Sequence, residues 1–396
     1  MTSDESKHGR YFGPNWFASV MGTGIVATAG SSLPVHVPGL RTFALVVWVA
    51  AAVWLVVLAA ATGVHWLRNP TLARSHVRNP QMSHFYGAAP MALLTVGSGA
   101  LLVGKDLIGE RAAVDLAWVL WTLGTVGGLF TAMSIPFLMF TQLRVEPDAA
   151  FGGWLMPVVP PMVAAATGAL LIPHMDPGTG QTTMLYSCYA MFGMSLVASL
   201  IIITMIWSRL ALYGTSGTAR VPTLWIVLGP LGQSITVAGL LATDAALAVD
   251  EHIADGMSVF AVLYGVPVWG FAVLWIAIAT ALTTRTLRRG MPFALTWWSL
   301  TFPVGTFVTG TTQLALHTGL PAFRVAAAIA YIALLSTWVL VAVRTFRGGR
   351  QGVLFATPAA GPIRAHKDSP APDPAQNQSP AAHPAQKQPP AADPAR

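Results

Sequence analysis

Residues 297–310, WWSLTFPVGTFVTG, lie inside a long apolar run and decide how the chain is interpreted. Such a run is typical of a membrane-spanning helix, yet this one contains Pro303, the glycines Gly305 and Gly310, and several hydroxyl side chains. Proline and glycine weaken a helix, and in lipid a backbone group that loses its hydrogen bond must find another partner. The stretch therefore predicts a helix that faces protein or water rather than lipid.

The composition of the whole chain is typical of a polytopic membrane protein. Of its 396 residues, 54% are hydrophobic and only 9% are charged, a ratio that excludes an ordinary soluble domain. The only cysteine is Cys188, so the chain cannot form an intrachain disulfide or a two-cysteine zinc site. The formal net charge of +7 fits basic cytoplasmic loops and says little about the substrate.

Ten apolar segments can be marked against the roughly 20 residues that a membrane helix needs. They are residues 15–31, 41–66, 84–103, 112–141, 154–172, 182–207, 221–242, 254–283, 293–317 and 322–345. We predict an all-α polytopic membrane protein whose ten-helix transmembrane domain covers residues 15–347. A short N-terminal tail (1–14) precedes this domain, and a Pro/Ala-rich tail (348–396) follows it. From residue 357 onward that tail has almost no apolar bulk, so we predict that it is disordered.

The distribution of basic residues predicts the orientation of the segments. Arginines follow the second, fourth, sixth and eighth segments and flank the first and last, whereas the alternate loops contain few. The positive-inside rule then places both termini in the cytoplasm of a multi-pass protein of the plasma membrane. A competing interpretation treats the first segment as a cleaved signal peptide, because Lys7 and Arg10 precede an apolar run that ends in ATA. Gly22 and Gly24 would make a poor signal core.

Odd-numbered and even-numbered segments differ in composition. The even segments are richer in Leu, Val and Ile, although Pro136 and Pro267 depart from this rule. The odd segments hold most small polar residues and the prolines that we expect to kink them, which are Pro90, Pro160, Pro161, Pro230 and Pro303. This pattern predicts five hairpins, with broken odd helices inside and straighter even helices outside. The alternative, that Pro and Gly only mark close helix packing, stays open.

The segments carry no charged residue at mid-depth. Pumps and proton-coupled symporters usually keep an ionisable residue there, so the sequence favours passive passage along a neutral path. Besides the kinks, the residues that we expect to line this path are Gly22, Thr23, Gly24, Gln233, Ser234, Gly305 and Thr306. Hydrogen bonds between helices and close packing are the competing roles for these residues. The alternative function is a proton-coupled dicarboxylate transporter, for which His84 is the best relay candidate.

Three short blocks suggest a family. They are NWFASVMGTGIVATAG at 15–30, LGPLGQS at 228–234, and WWSLTFPVGTFVTG followed by AFRV at 322–325. Together they resemble the tellurite-resistance/dicarboxylate transporter family, which contains bacterial TehA, plant slow-type anion channels, the fungal malate permease and the fungal sulfite efflux pump. The resemblance covers the chain from about Phe12 to about Arg347, and the second and third blocks lean toward the two fungal transporters.

The resemblance implies both an architecture and a gate. It implies ten helices in five hairpins around a quasi-five-fold axis, a pore lined by the odd helices, and a homotrimer with one pore in each protomer. It also implies that a phenylalanine of the ninth helix occludes the pore, and Phe302 in TFPVG matches that residue. An apolar ring across a neutral pore can gate by dewetting. Pro303 would fix the local backbone and Gly305 would leave room for the ring; ordinary packing of Phe302 is the alternative.

We therefore expect channel-like export of small inorganic or organic anions, such as malate-like dicarboxylates or sulfite. Membrane lipid is the other expected partner, and no nucleic acid, cofactor, metal site or catalytic residue is predicted. A membrane enzyme is not supported, since the sequence lacks HExxH and a glycine-rich phosphate loop. Basic residues at the cytoplasmic mouth would concentrate anions within roughly 8 Å, or act only as topology signals. They are Arg78, Arg144, Arg285, Arg288 and Arg289.

Overall fold

A computed structural model describes residues 12–143, 145–215, 217–352 and 354. The α-helices are α1 Phe17–Ser32, α2 Leu40–Arg68, α3 Pro70–Arg78, α4 Ala88–Gly99, α5 Lys105–Ile108, α6 Glu110–Thr141, α7 Pro160–Leu171, α8 Thr179–Tyr213, α9 Leu228–Asp244, α10 Glu251–Leu287, α11 Phe302–Thr318 and α12 Pro321–Arg350. Arg144, most of the predicted N-terminal tail and nearly all of the Pro/Ala-rich tail lie outside the described residues.

Seven helical spans of the described chain are long and apolar enough to cross a membrane. They are Leu40–Arg68, Ser83–Ile108, Glu110–Thr141, Thr179–Tyr213, Arg220–Leu247, Glu251–Leu287 and Pro321–Arg350. The prediction of an all-helical polytopic membrane protein is therefore confirmed. The other three apolar segments form α1, α7 and α11, which have 16, 12 and 17 residues. Each of these follows a short 3₁₀ segment, so its helical run is interrupted rather than continuous.

Burial divides the main helices into a central and a peripheral set. In α1, α4, α7, α9 and α11 most residues are buried, whereas the spans formed by α2, α6, α8, α10 and α12 are only 22–33% buried. The central helices are the odd-numbered segments of the sequence, and the peripheral helices are the even-numbered ones. Exposed side chains of the peripheral set are large and apolar, such as Met133 and Phe140 of α6. Such a surface suits contact with lipid.

The central helices form a closed ring. α1 packs on α4, α4 on α7, α7 on α9, α9 on α11, and α11 packs back on α1. Each peripheral helix packs against its own hairpin partner and against the next helix of the ring: for example, α6 contacts both α4 and α7. The peripheral helices thus cover the joints of the ring.

The prolines of the central helices lie in the first turn of each helix rather than in its middle. Pro160 and Pro161 begin α7, Pro303 is the second residue of α11, and Pro90 and Pro230 are the third residues of α4 and α9. A 3₁₀ or turn segment precedes each of these helices. The expectation of mid-helix kinks is corrected here, because a first-turn proline sacrifices no helical hydrogen bond and the chain changes from 3₁₀ to α geometry at this point.

The contact between α9 and α11 depends on glycine. A Cβ atom at Gly232 would overlap with backbone atoms of Thr306 and Phe307, so only hydrogen fits between the two helices. The Thr306 hydroxyl completes the contact by donating to the carbonyl of Leu228 across the interface, at 3.1 Å, or to that of Pro303 in its own helix, at 2.7 Å. This close approach fixes the position of α11 in the ring.

We predict that Gly232→Ala destabilises the protein by about 1–3 kcal/mol, because the new methyl group meets backbone that cannot rotate away. Thermal unfolding of the purified protein in detergent measures the effect. The matched control is Gly229→Ala on the same helix, where a Cβ would have no atom within 4 Å. Equal unfolding temperatures for the two variants would contradict the role given to Gly232.

A pair of stacked histidines connects α2 to the short helix α3. The rings of His65 and His76 are parallel within 4° and their centroids are 5.7 Å apart. Both side chains are buried, and the ring of Phe12 lies next to His65 with centroids 6.4 Å apart. Burial lowers the pKa of His76, and the neighbouring imidazole of His65 lowers it further. The folded state therefore favours neutral His76.

This arrangement predicts an acid-sensitive contribution to stability. As the pH falls below about 6.5, the ordinary pKa of histidine, the unfolded chain protonates His76 more readily than the folded chain does, so the free energy of unfolding decreases. We expect His76→Gln to show a smaller fall in melting temperature on acidification than the wild type. His36→Gln, at an exposed position between α1 and α2, should follow the wild type. If the melting temperatures of His76→Gln and the wild type fall equally as the pH is lowered, the prediction is wrong.

Candidate functional site

Two cavities lie within the ring of central helices. The first, here called the apolar cavity, is bordered by the first turns of the central helices and the segments before them. Its walls are almost entirely hydrocarbon, aromatic or thioether groups. Representative lining residues are Met21, Phe85, Met91, Met156, Ile226 and Trp298.

The second cavity, here called the polar cavity, is bordered by the same five helices further along their length. Its wall mixes aliphatic side chains with hydroxyl and carboxamide groups. The polar members are Thr28, Ser32, Thr95, Ser98, Gln233, Thr236, Thr309 and Gln313. Among the described residues, neither cavity is bordered by Asp, Glu, Lys, Arg or His.

The five central helices run in the same direction past the two cavities. In α1, Met21 borders the apolar cavity and Thr28 the polar one; in α9, Pro230 precedes Gln233 in the same way. The other three helices show the same order. All five N-terminal ends therefore surround the apolar cavity, where the partial positive charge of helix ends favours anions.

Phe302 borders both cavities, and within the described chain it is the residue that they share. It is the first residue of α11, directly after the 3₁₀ segment Leu295–Leu300 and Thr301, and it is 5% exposed. Its side chain borders the cavities within the ring of central helices. Phe302 thus lies where the apolar cavity and the polar cavity adjoin.

Four of the residues predicted to gate, kink or line a path border the cavities: Pro230, Gln233, Phe302 and Pro303. The remaining predicted residues lie elsewhere in the ring. They are Gly22, Thr23, Gly24, Pro90, Pro160, Pro161, Ser234, Gly305 and Thr306.

Several of these residues serve helix packing. A Cβ atom at Gly22 would overlap with Thr301, and one at Gly305 would overlap with Ile25 of α1. Gly305 therefore admits α1 rather than leaving room for the Phe302 ring, which differs from the sequence-based expectation. Gly24 similarly faces Thr95 of α4. These positions favour the close-packing interpretation of the glycines.

The polar residues Thr23 and Ser234 also point away from the two cavities. The Thr23 hydroxyl donates to the Ser19 carbonyl at 2.8 Å and accepts from the Trp338 indole N–H at 3.2 Å, on the side of α1 that faces α12. The Ser234 hydroxyl donates to the Leu231 carbonyl at 2.8 Å. Of the predicted prolines, Pro90 and Pro160 face α6, where they lie next to its glycines.

Of the polar residues that border the polar cavity, the sequence-based prediction included Gln233 and missed Thr28, Ser32, Thr95, Ser98, Thr236, Thr309 and Gln313. A signal for Gln313 was present, because residues 302, 309 and 313 follow the three- or four-residue spacing of one helical face. The same spacing connects the cavity-lining residues 25, 28 and 32 of α1. Taking Phe302 as the starting point and following its face along α11 leads directly to Gln313.

His84 is packed between aromatic rings and does not border either cavity. It is 2% exposed, its ring stacks on Trp154 with centroids 6.1 Å apart, and it meets the edge of Phe151 at 5.8 Å. The following residue, Phe85, borders the apolar cavity instead. The predicted relay candidate therefore lies behind the wall of the cavities.

Comparison with known proteins gives a consistent result. The family described as SLAC1, voltage-dependent anion channel, matches residues 11–346. The chain is 27% identical over 336 residues to the sulfite efflux pump SSU1 of Trichophyton rubrum, covering 83% of this chain and 88% of the pump. It is 26% identical over 298 residues to an uncharacterized transporter of Methanocaldococcus jannaschii, covering 75% and 82%. It is 19% identical over 354 residues to a putative malic acid transport protein of Schizosaccharomyces pombe, covering 84% and 78%.

Proposed function

The chain belongs to the voltage-dependent anion channel family, and from this premise we propose that it exports small anions through a pathway closed by Phe302. The family and the relatives are channels or transporters, so the protein is a transporter or channel and not an enzyme. This membership confirms the family resemblance found in the sequence. The observation that carries the proposal is that Phe302 borders both central cavities.

The proposed pathway runs along the axis of the central ring. In this proposal α1, α7 and α11 cross the membrane together with the seven longer spans, which gives ten crossings in five hairpins. Two observations support it: the ring closes on itself, and its five helices share one direction. Their irregular first turns are buried beneath the peripheral helices, as a membrane requires of backbone without full helical hydrogen bonding.

Phe302 is the proposed gate. With the ring in place, the polar cavity ends at an apolar barrier that water and hydrated anions cross with difficulty. Rotation of one side chain would join the two cavities. Pro303 supports this role because it lies in the first turn of α11, where it stiffens the backbone directly after the gate.

The proposed substrates are small oxyanions such as sulfite or malate-like dicarboxylates. Relatives described as a sulfite efflux pump and as a putative malic acid transport protein support this class. A lining without fixed charge suits conduction, because an anion must bind weakly enough to leave. Positive ends of the central helices and basic residues at the mouth would supply the attraction.

Channel-like passage is favoured over proton coupling. A coupled transporter usually holds an ionisable side chain in its pathway. Among the described residues none borders the cavities, and His84 lies behind their wall. A plasma-membrane location, cytoplasmic termini and a homotrimer with one pathway in each protomer complete the proposal, and they rest on the arginine distribution and on the family resemblance.

We predict that Phe302→Ala increases the anion current through planar bilayers by roughly tenfold or more. A tenfold increase corresponds to lowering the free-energy barrier to anion passage by about 1.4 kcal/mol. Chloride, sulfite and malate should be recorded in turn. The mutation removes the ring that separates the cavities and leaves the backbone of α11 intact.

The matched control for this measurement is Phe307→Ala. Phe307 lies on the same helix, is equally buried and stacks on Trp269 with ring centroids 6.0 Å apart, but it does not border the cavities. Its truncation should lower stability without raising the current. If both variants conduct like the wild type, Phe302 is not a gate.

A further inference from the structure

The hydroxyl groups of the polar cavity have already committed their protons to the protein. Thr28, Ser32 and Thr95 each donate to the backbone carbonyl three or four residues earlier, at 3.4, 3.1 and 2.7 Å. A hydroxyl has one proton and two lone pairs, so each of these oxygens can still accept a hydrogen bond.

The remaining hydroxyls of this cavity form pairs with the same result. The oxygens of Thr236 and Thr309 are 2.7 Å apart, and each is also within reach of a carbonyl in its own helix, at 2.9 and 3.1 Å. The two hydroxyl protons of this pair are therefore shared among three hydrogen-bond contacts. Ser98 is paired with Thr167 at 2.8 Å, and Thr167 also reaches the Val163 carbonyl at 3.1 Å. These hydroxyl oxygens therefore have their protons engaged within the protein and retain lone pairs that can accept a hydrogen bond.

Two carboxamides supply the donors that the hydroxyls do not. Gln233 on α9 and Gln313 on α11 border the polar cavity and are 5% and 7% exposed. Neither side-chain nitrogen donates to another described residue. The Gln313 oxygen is buried without a partner, so its nitrogen is the end that retains access to the cavity. Gln313 packs directly against Gly239, where a Cβ atom would lie 2.6 Å from the Cβ of Gln313.

We propose that the polar cavity is a binding site for oxyanions that carry an O–H group. The N–H groups of Gln233 and Gln313 donate to the anionic oxygens, and a wall hydroxyl oxygen accepts from the ligand. Hydroxycarboxylates and hydrogen forms of oxyanions can accept from the glutamine N–H groups and can also donate to a wall hydroxyl oxygen. Chloride and fully ionised dicarboxylates without a hydroxyl group can only accept from the glutamines. This inference rests on the proposed function and specifies the substrate class of the same pathway.

Malate and succinate test the inference, because they carry the same charge and differ by one hydroxyl. Relative permeability is measured in planar bilayers containing the full-length Phe302→Ala protein. We expect malate to be more permeant than succinate by roughly two- to tenfold, the range that one neutral hydrogen bond spans. Gln313→Leu and Gln233→Leu should reduce the currents of both anions.

The double variant Thr236→Val and Thr309→Val, in the same background, removes acceptors while keeping side-chain shape. It should reduce the preference for malate over succinate and leave the permeability of succinate unchanged. Thr311→Val is the matched control, since Thr311 lies on α11 and does not border the cavities; it should keep the preference for malate. Equal permeability of the two anions in the Phe302→Ala protein, or full currents in both glutamine variants, would overturn the site while leaving the proposed function standing.

A binding measurement separates the site from the gate. A ligand that binds the folded state raises its melting temperature. Malate should therefore stabilise the purified wild-type protein more than the same concentration of succinate. The Thr236→Val and Thr309→Val double variant should reduce this difference, whereas Gln313→Leu should weaken the stabilisation by both anions. If Phe302→Ala does not conduct, the proposed gate is wrong. The melting-temperature measurement then tests the binding site by itself. Equal stabilisation by the two anions would then overturn it.

Discussion

The structure depends on one constraint: backbone and hydroxyl groups that are irregularly bonded must be kept away from lipid. The chain meets it with two concentric sets of helices. Irregular elements, such as the 3₁₀ segments Gly152–Leu155 and Leu295–Leu300, belong to the central set, and smooth apolar helices cover them. Without the peripheral helices, the first turns that contain Pro160 and Pro303 would be exposed to acyl chains, and so would the hydroxyl groups of the polar cavity.

The sequence predicted which helices are central, because proline and hydroxyl content is a property of a whole segment. It also led to Phe302, through a motif. It could not predict which way each side chain faces within a buried helix, since all faces of such a helix are apolar or small. Thr23 faces α12, and Gly305 receives Ile25; both depend on how neighbouring helices are rotated, and local composition does not contain that information.

In the proposed pathway, selectivity depends on which wall groups donate and which accept hydrogen bonds, rather than on charged side chains. The helices consume the hydroxyl protons internally, as Thr95 shows with its 2.7 Å bond to the Met91 carbonyl. A wall that looks generically polar in the sequence is therefore specific in the structure: it accepts at its hydroxyls and donates at Gln233 and Gln313. A family with one scaffold could change its substrate by exchanging a few such groups without introducing a charged residue.

The shared direction of the five central helices makes the proposed pathway unequal at its two ends. One end is the apolar cavity, a vestibule surrounded by positive helix ends, and the other is the polar cavity, a chamber lined by hydroxyl and carboxamide groups. An anion approaching from the vestibule sheds its water before it reaches Phe302, while one approaching from the chamber is still solvated there. The proposed pathway would therefore rectify: at equal and opposite voltages the two directions of flow would meet different resistances.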